Sequence, residues 1–133
     1  MALMADDLFN AARAVMTSAH APYSKFPVGA ALRSASGAIY VGCNVENASY
    51  PEGWCAETGA IAAMVAAGET TIAEIAVVAE QMPLITPCGG CCQRLAEFAA
   101  PDARIHLCDA SGIVETVTLG ELLPRAFAVE TRS

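Results

Sequence analysis

Cys55-Ala56-Glu57 and, one apolar run later, Pro87-Cys88-Gly89-Gly90-Cys91 are the stretches on which the reading of this chain turns. Each cysteine motif opens a helical pattern. One runs from about Cys55 to Ala67 and is closed by Gly68; the other runs from about Cys88 to Phe98 and is stopped before Pro101. Between them Ile72 to Ala79 reads as a strand. Strands joined through such helices are parallel, and parallel crossovers bring the helix starts to one edge of the sheet. Three thiols that are distant in sequence therefore converge. Free amides and the positive end of the helix dipole favour an anion there, which lowers a thiol pKa. Three thiolates can hold one zinc ion and leave its fourth position to water, whereas structural zinc sites close with four protein ligands. Glu57 shares the first helical turn with Cys55 and can move protons beside that position. The pattern points to metal-assisted hydrolysis.

Working outward, Asp6 or Asp7 can cap a first helix whose Leu8, Phe9, Ala12, Val15, Met16 and Ala19 form one stripe, with Pro22 beyond its end. Val28 to Arg33 and Ile39 to Val45 are short strands around the turn Ser34-Ala35-Ser36-Gly37, which forces antiparallel pairing. The second helix is apolar on every face and is expected to be central and buried. Pro83 and Pro87 mark the loop before the third. Arg104 to Cys108 and Val114 to Thr118 flank a second tight turn, and Gly120 to Pro124 offers one helical turn. The expected fold class is α/β: a three-layer α-β-α sandwich on a mixed five-stranded sheet, in a single domain spanning residues 1–133.

A chain of 133 residues suits one core. Apolar residues make up 55% and aromatics 6%, and the positive mean hydropathy points to apolar surface buried between subunits. With a net charge of −7 and no basic run, the chain lacks the electrostatic stripe of a nucleic-acid or anionic-membrane binder. A small neutral substrate fits better. There is no apolar stretch of the ~18 residues needed to span a membrane, and the start Met-Ala-Leu-Met-Ala-Asp-Asp lacks a signal peptide's positive charge. The chain reads as cytoplasmic, where six cysteines favour metal over disulfides.

Taken alone, the downstream Cys-x-x-Cys also fits a redox dithiol, or a structural zinc knuckle closed by Cys43 or Cys108. The upstream Cys-Ala-Glu shifts the reading to a catalytic site. On these motifs the chain resembles, nearly end to end, the cytidine deaminases of the small homotetrameric type, within the wider class of zinc deaminases. The resemblance implies one zinc ion per subunit on Cys55, Cys88 and Cys91. It makes Glu57 the proton shuttle, and the reaction hydrolytic replacement of the C4 amino group of cytidine and 2′-deoxycytidine, releasing ammonia, in pyrimidine salvage.

The segment Pro22-Tyr23-Ser24-Lys25-Phe26-Pro27-Val28 resembles the family's pocket opening, with Phe26 against the nucleoside. In Gly42-Cys43-Asn44-Val45-Glu46-Asn47-Ala48, residues two apart share a side, so Asn44 and Glu46 project together and suit sugar hydroxyls. A carboxylate buried for that purpose would be costly without its hydroxyl, so free cytosine is expected to be a poor substrate. The resemblance further implies the Ala56 amide at the base carbonyl, the Thr86 carbonyl at the amino group, and Phe127 reaching a neighbouring subunit's base. His20 and His106 lack the spacing to join the metal; His20 is expected to cap carbonyls and His106 to pack or hydrogen bond, and Trp54 is expected to pack around the site.

One departure stands out. Three-cysteine relatives usually carry arginine directly after the motif glutamate and directly after the last ligand; here these places hold Thr58 and Cys92. Arg94, one turn from Cys91, is the candidate to offset thiolate charge, and Cys92 reads as a buried thiol. The departure leaves room for altered turnover or another amino-pyrimidine nucleoside, such as a cytosine nucleoside antibiotic. A structural zinc-binding interaction module is the alternative from a different class.

Overall fold

The computed structural model describes residues 2–80 and 85–129, with side chains from Asp6 onward. In chain order the elements are α1 (Ala2–Met16), β1 (Val28–Ser34), β2 (Ile39–Cys43), a short 3-10 turn (Tyr50–Glu52), α2 (Ala56–Ala66), β3 (Ile72–Ala79), α3 (Gly89–Phe98), β4 (Ala99–Asp109), β5 (Gly112–Thr118) and α4 (Leu119–Leu122). Pro83, expected in the loop before α3, lies outside the described residues.

The sheet has five strands in the order β2-β1-β3-β4-β5. β1 pairs antiparallel with both β2 and β3, β3 and β4 are parallel, and β4 and β5 are antiparallel. β2, β3 and β4 therefore run the same way and end at one edge. The crossovers between them are α2 and α3, and both lie on one face. Side-chain alternation along β3 separates two cores. Ile75 and Val77 pack with Ala60, Ile61, Met64 and Leu95 under α2 and α3. Ala76 and Val78 pack with Leu8, Phe9, Ala12 and Met16 under α1. The three-layer expectation holds.

Two glycines set how closely the layers approach. A Cβ on Gly42 would lie 2.3 Å from the Ala60 nitrogen and 2.4 Å from the Ala56 oxygen, so only glycine lets β2 seat the first turns of α2. Gly29 does the same for α1, where an added Cβ would meet the Ala12 oxygen at 2.1 Å.

Several expectations need correction. α1 begins at Ala2, so Asp6 and Asp7 are exposed positions within it rather than caps. Ala2, Leu3, Met4 and Ala5 are strong helix formers that carry the helix upstream. It ends at Met16, where Thr17 Oγ1 turns back to donate to the Ala14 carbonyl (2.7 Å), leaving Ala19 outside. α2 is not buried all round. Ala56, Glu57, Ala60, Ile61 and Met64 face inward, but Ala62, Val65 and Ala66 are exposed, because a helix lying on a sheet covers only one of its own sides. Pro101 does not precede β4; it lies inside it, in the irregular stretch between the pairs Ile72–Ala99 and Glu74–Arg104, where a ladder N–H is not required. β2 stops at Cys43, and Val45 makes only isolated bridges to His20 and Trp54.

The α1 side of the sheet carries one polar row across four strands. Glu74 accepts from Arg33 Nε (3.2 Å) and pairs with His106 Nε2 (2.8 Å), while His106 Nδ1 meets Thr116 Oγ1 (2.9 Å). His106 thus has the hydrogen-bonding role expected of it.

Candidate active site

Cys55 and Cys88 occupy the N-cap positions of α2 and α3, both with extended backbone, so each thiol sits beside the free amides of a helix start. Cys91 lies one turn into α3 and is buried. The three sulfurs lie within 4.8 Å of one another and form the metal-capable cluster among the described residues. Three thiolates bound tetrahedrally to zinc at ~2.3 Å would stand ~3.8 Å apart, so this donor set fits the ion with little adjustment. A fourth ligand from Cys108 is ruled out by its place on the opposite, α1 side of the sheet, and Cys43 is likewise not in the cluster.

The thiols share charge unequally. A hydrogen bond from Cys91 pulls Cys55 down to about 6 against burial, helped by Cys88 and by the Arg94 charge; the Cys91 thiol is correspondingly pushed up. Glu57, in the first turn of α2, is only 4% exposed. Burial, together with the nearby Cys55 charge, raises its carboxyl to about 7. An acid poised there can accept and release a proton near neutral pH.

Arg94 Nη1 donates to Cys91 Sγ at 3.7 Å, and its guanidinium lies over Gly90, close to the cluster. The direction of this side chain was not readable from sequence, and it is toward the thiols. Thr58 and Cys92 do not take that part. Thr58 Oγ1 is buried without a hydrogen-bond partner among the described residues, and Cys92 is a buried thiol turned to the Pro87 carbonyl (3.7 Å).

A cavity of about 650 Å³ opens beside the thiols, at the edge where β2 and β3 end. That volume suits a small organic ligand. Its lining brings together Phe26, Asn44, Glu46, Cys55, Ala56, Glu57, Thr86 and Cys88. Phe127 is not among them. It lies on the surface, 74% exposed, with its backbone held by Gln93.

Asn44 and Glu46 face the cavity but are already engaged. Asn44 Nδ2 donates to the Phe26 carbonyl and its Oδ1 accepts from the Val28 amide, both at 2.9 Å, so the side chain acts as a strand partner that fixes one wall. Glu46 Oε1 accepts from the Tyr23 and Ser24 amides (3.0 Å each), and Oε2 accepts from the Ser24 hydroxyl. The Ser24 hydroxyl and amide hold its carboxyl below the usual range. This corrects the expectation of a buried carboxylate waiting for a sugar hydroxyl: Glu46 is only half-buried and has three internal donors. It secures a loop that contains Lys25 in the left-handed region (φ 59°), a conformation that costs a non-glycine residue ~1–2 kcal/mol. Each side chain keeps spare hydrogen-bonding capacity toward the cavity.

Sequence reasoning placed Tyr23 and Trp54 near the pocket but missed Tyr50, with which they form an aromatic rim. Tyr23 and Tyr50 meet edge to face with centroids 6.1 Å apart, and with Trp54 they line the mouth while staying half exposed or more. Trp54 thus lies around the site as expected, half exposed at its mouth. Ile85 was also missed; nothing in its surroundings marked it. His20 is exposed and is tied through its backbone to Asn44 and Glu46 rather than through a capping side chain.

The comparisons agree with this geometry. The family model described as the cytidine and deoxycytidylate deaminase zinc-binding region matches residues 4–107. A curated cytidine deaminase of Sporosarcina psychrophila is 44% identical over 115 residues, covering 86% of this chain and 85% of that protein. The crystal structure of cytidine deaminase from Burkholderia pseudomallei superposes with a TM-score of 0.87 at 44% identity, covering 92% of this chain and 98% of the other. That of Mycobacterium tuberculosis does so with a TM-score of 0.83 at 35% identity, covering 93% and 97%. With a zinc-capable thiol trio at two helix starts, a buried acid beside it and these likenesses over most of its length, the chain belongs to the cytidine and deoxycytidylate deaminase zinc-binding family.

Proposed function

We propose that this protein is a zinc-dependent cytidine deaminase, a single catalytic domain that converts cytidine and 2′-deoxycytidine to the uridine nucleosides with release of ammonia, in cytoplasmic pyrimidine salvage. The observation that carries this reading is the position of Glu57: buried, raised to about 7, and lining the same cavity as the thiols of Cys55 and Cys88.

Cys55, Cys88 and Cys91 would hold the zinc. Bound there, it would supply a Lewis acid that makes water a competent nucleophile near neutral pH. Glu57 takes one proton from the attacking water and delivers it to N3 of the base. It then takes the remaining proton from the new C4 hydroxyl and carries it to the departing amine, so that the C4–O bond forms, the C4–N bond breaks and ammonia leaves. Its raised pKa lets one group serve in both directions. The Ala56 amide holds the base carbonyl and the Thr86 carbonyl accepts from the amino group. Phe26 lies against the nucleoside. Asn44 and Glu46 offer their remaining hydrogen-bonding positions to the sugar hydroxyls.

The assembly proposed is a homotetramer in which Phe127 of one chain completes a neighbour's site. Its support is apolar surface with no cover among the described residues: Val65 on α2, Ile39 and Val41 on β2, and Trp54 and Tyr50 at the cavity mouth.

Incubating the purified protein with cytidine while following ultraviolet absorbance and ammonia tests the reading. Turnover that stops with a chelator and returns with zinc is expected. Stoichiometric zinc without ammonia release would leave a structural zinc module instead.

A further inference from the structure

The described tail ends in a contact with no evident use in a single chain. Gln93 Nε2 donates to the Phe127 carbonyl (2.9 Å), and the Phe127 amide donates to Gln93 Oε1 (3.1 Å). One side-chain amide thus satisfies both backbone groups of one residue, as a strand neighbour would. The ring it fixes is 74% exposed, so an isolated chain gains little from ordering it. Asn44 likewise spends its side-chain amide on two backbone groups, the Phe26 carbonyl and the Val28 amide, where the product is a wall of the cavity.

Position decides which way the tail can serve. Gln93 lies two residues after Cys91 in α3, ~200° around the helix, so it faces away from the thiols. A tail pinned to that outer surface is held off its own cavity, and Phe127 is absent from the cavity lining. That cavity is meanwhile rimmed by exposed Tyr23, Tyr50 and Trp54.

We propose that Gln93 is a positioning residue: by clamping the Phe127 backbone to the outer side of α3, it aims the ring into the open cavity of a second copy of the chain, against the flat face of the bound base. This rests on the reading above in which Phe127 serves a neighbouring site, and adds what holds it in place. Because α3 also carries Cys88 and Cys91, one rigid helix sets the metal ligands of one site and the aromatic lid of another.

The test compares Gln93→Met, Phe127→Ala and the double variant for cytidine turnover, with zinc content and sedimentation as controls; Met keeps the length and helix propensity of Gln. Gln93→Met should raise KM about tenfold, what the loss of one base–aromatic stack is worth. It should leave kcat within about twofold and zinc unchanged, and the double variant should be no worse than Phe127→Ala. Mixed assemblies of Glu57→Ala chains with Gln93→Met chains should regain low-KM turnover, because the inactive chains supply intact tails. If Phe127→Ala leaves KM unchanged, the shared-site reading falls and the clamp with it. If Phe127→Ala raises KM and Gln93→Met does not, the clamp alone is overturned. An effect of Gln93→Met that persists in the Phe127→Ala background also overturns it, as does a failure of mixed assemblies to regain low-KM turnover.

Discussion

Two acids on opposite faces of the same sheet meet opposite fates. Glu74, on the α1 side, is also partly withdrawn from water, but hydrogen bonds from His106 and Arg33 outweigh burial and hold its carboxyl below the usual range. Glu57, under α2, is more deeply buried and has thiols for neighbours, so burial wins and the carboxyl rises to about 7. The first acid is a cross-strand fastener whose proton is gone at every physiological pH. The second keeps a proton that can be moved. Partners, rather than burial alone, separate a structural carboxylate from a chemical one.

The sharpest way to break this comparison is Glu57→Gln. It should lower kcat by ~10³-fold while zinc remains at one per chain, because a general acid–base group has been removed and no ligand touched. Ammonia release alongside metal analysis decides it. Loss of zinc with activity would make Glu57 a support for the metal instead.

Stability against pH exposes the same acid without reference to turnover. The folded-state pKa of about 7 lies above the ordinary value of 4.5, so the folded chain binds this proton more tightly than the unfolded one. Its contribution is complete below the unfolded pKa and is lost as pH rises through about 7, amounting to ~3 kcal/mol. Urea melts of metal-stripped wild type should therefore weaken from pH 5 to 8 relative to Glu57→Gln. A constant gap between the two proteins would remove the buried-acid assignment.

Glu74→Gln should act in the opposite sense. It leaves Arg33 and His106 without their carboxylate and should cost ~2 kcal/mol of stability, with kcat per folded molecule unchanged. Thermal unfolding paired with active-site titration checks this; a fall in kcat would couple the two faces of the sheet.

The smallest effect is expected from Arg94→Gln. Three thiolates on a divalent ion leave one net negative charge, and Arg94 at Cys91 Sγ is placed to offset it. Its loss should weaken zinc retention against a competing chelator by ~10-fold. Thr58→Arg and Cys92→Arg, at the places where the resemblance implies arginine, should then recover retention.

Much of this molecule is legible along the chain. The five strands and the helices between them follow from short-range patterning, and the metal ligands follow from spacing plus the rule that parallel crossovers return helix starts to one edge. Apart from the ends of α1, which local propensity and the Thr17 hydroxyl set, the misreadings fall where the deciding contact is distant in sequence. Apolar periodicity cannot say which side of α2 meets the sheet, and so Val65 was expected inside. Asn44 and Glu46 were placed correctly at the cavity, but their backbone partners at Tyr23, Ser24, Phe26 and Val28 lie about twenty residues away, across a folded loop.

Composition and spacing by themselves pointed to an α/β domain with three thiols and one acid at a common point, a donor set suited to zinc, since ligand chemistry is a property of residue type and helix starts are local events. Only the tertiary structure decided that Arg94 turns to Cys91, that Gln93 grips the tail at Phe127, and that Glu57 is desolvated while Glu74 is held ionised by its partners. Each of these depends on which groups distant in sequence are left side by side once the layers close, and burial and charge pairing are properties of that closed arrangement.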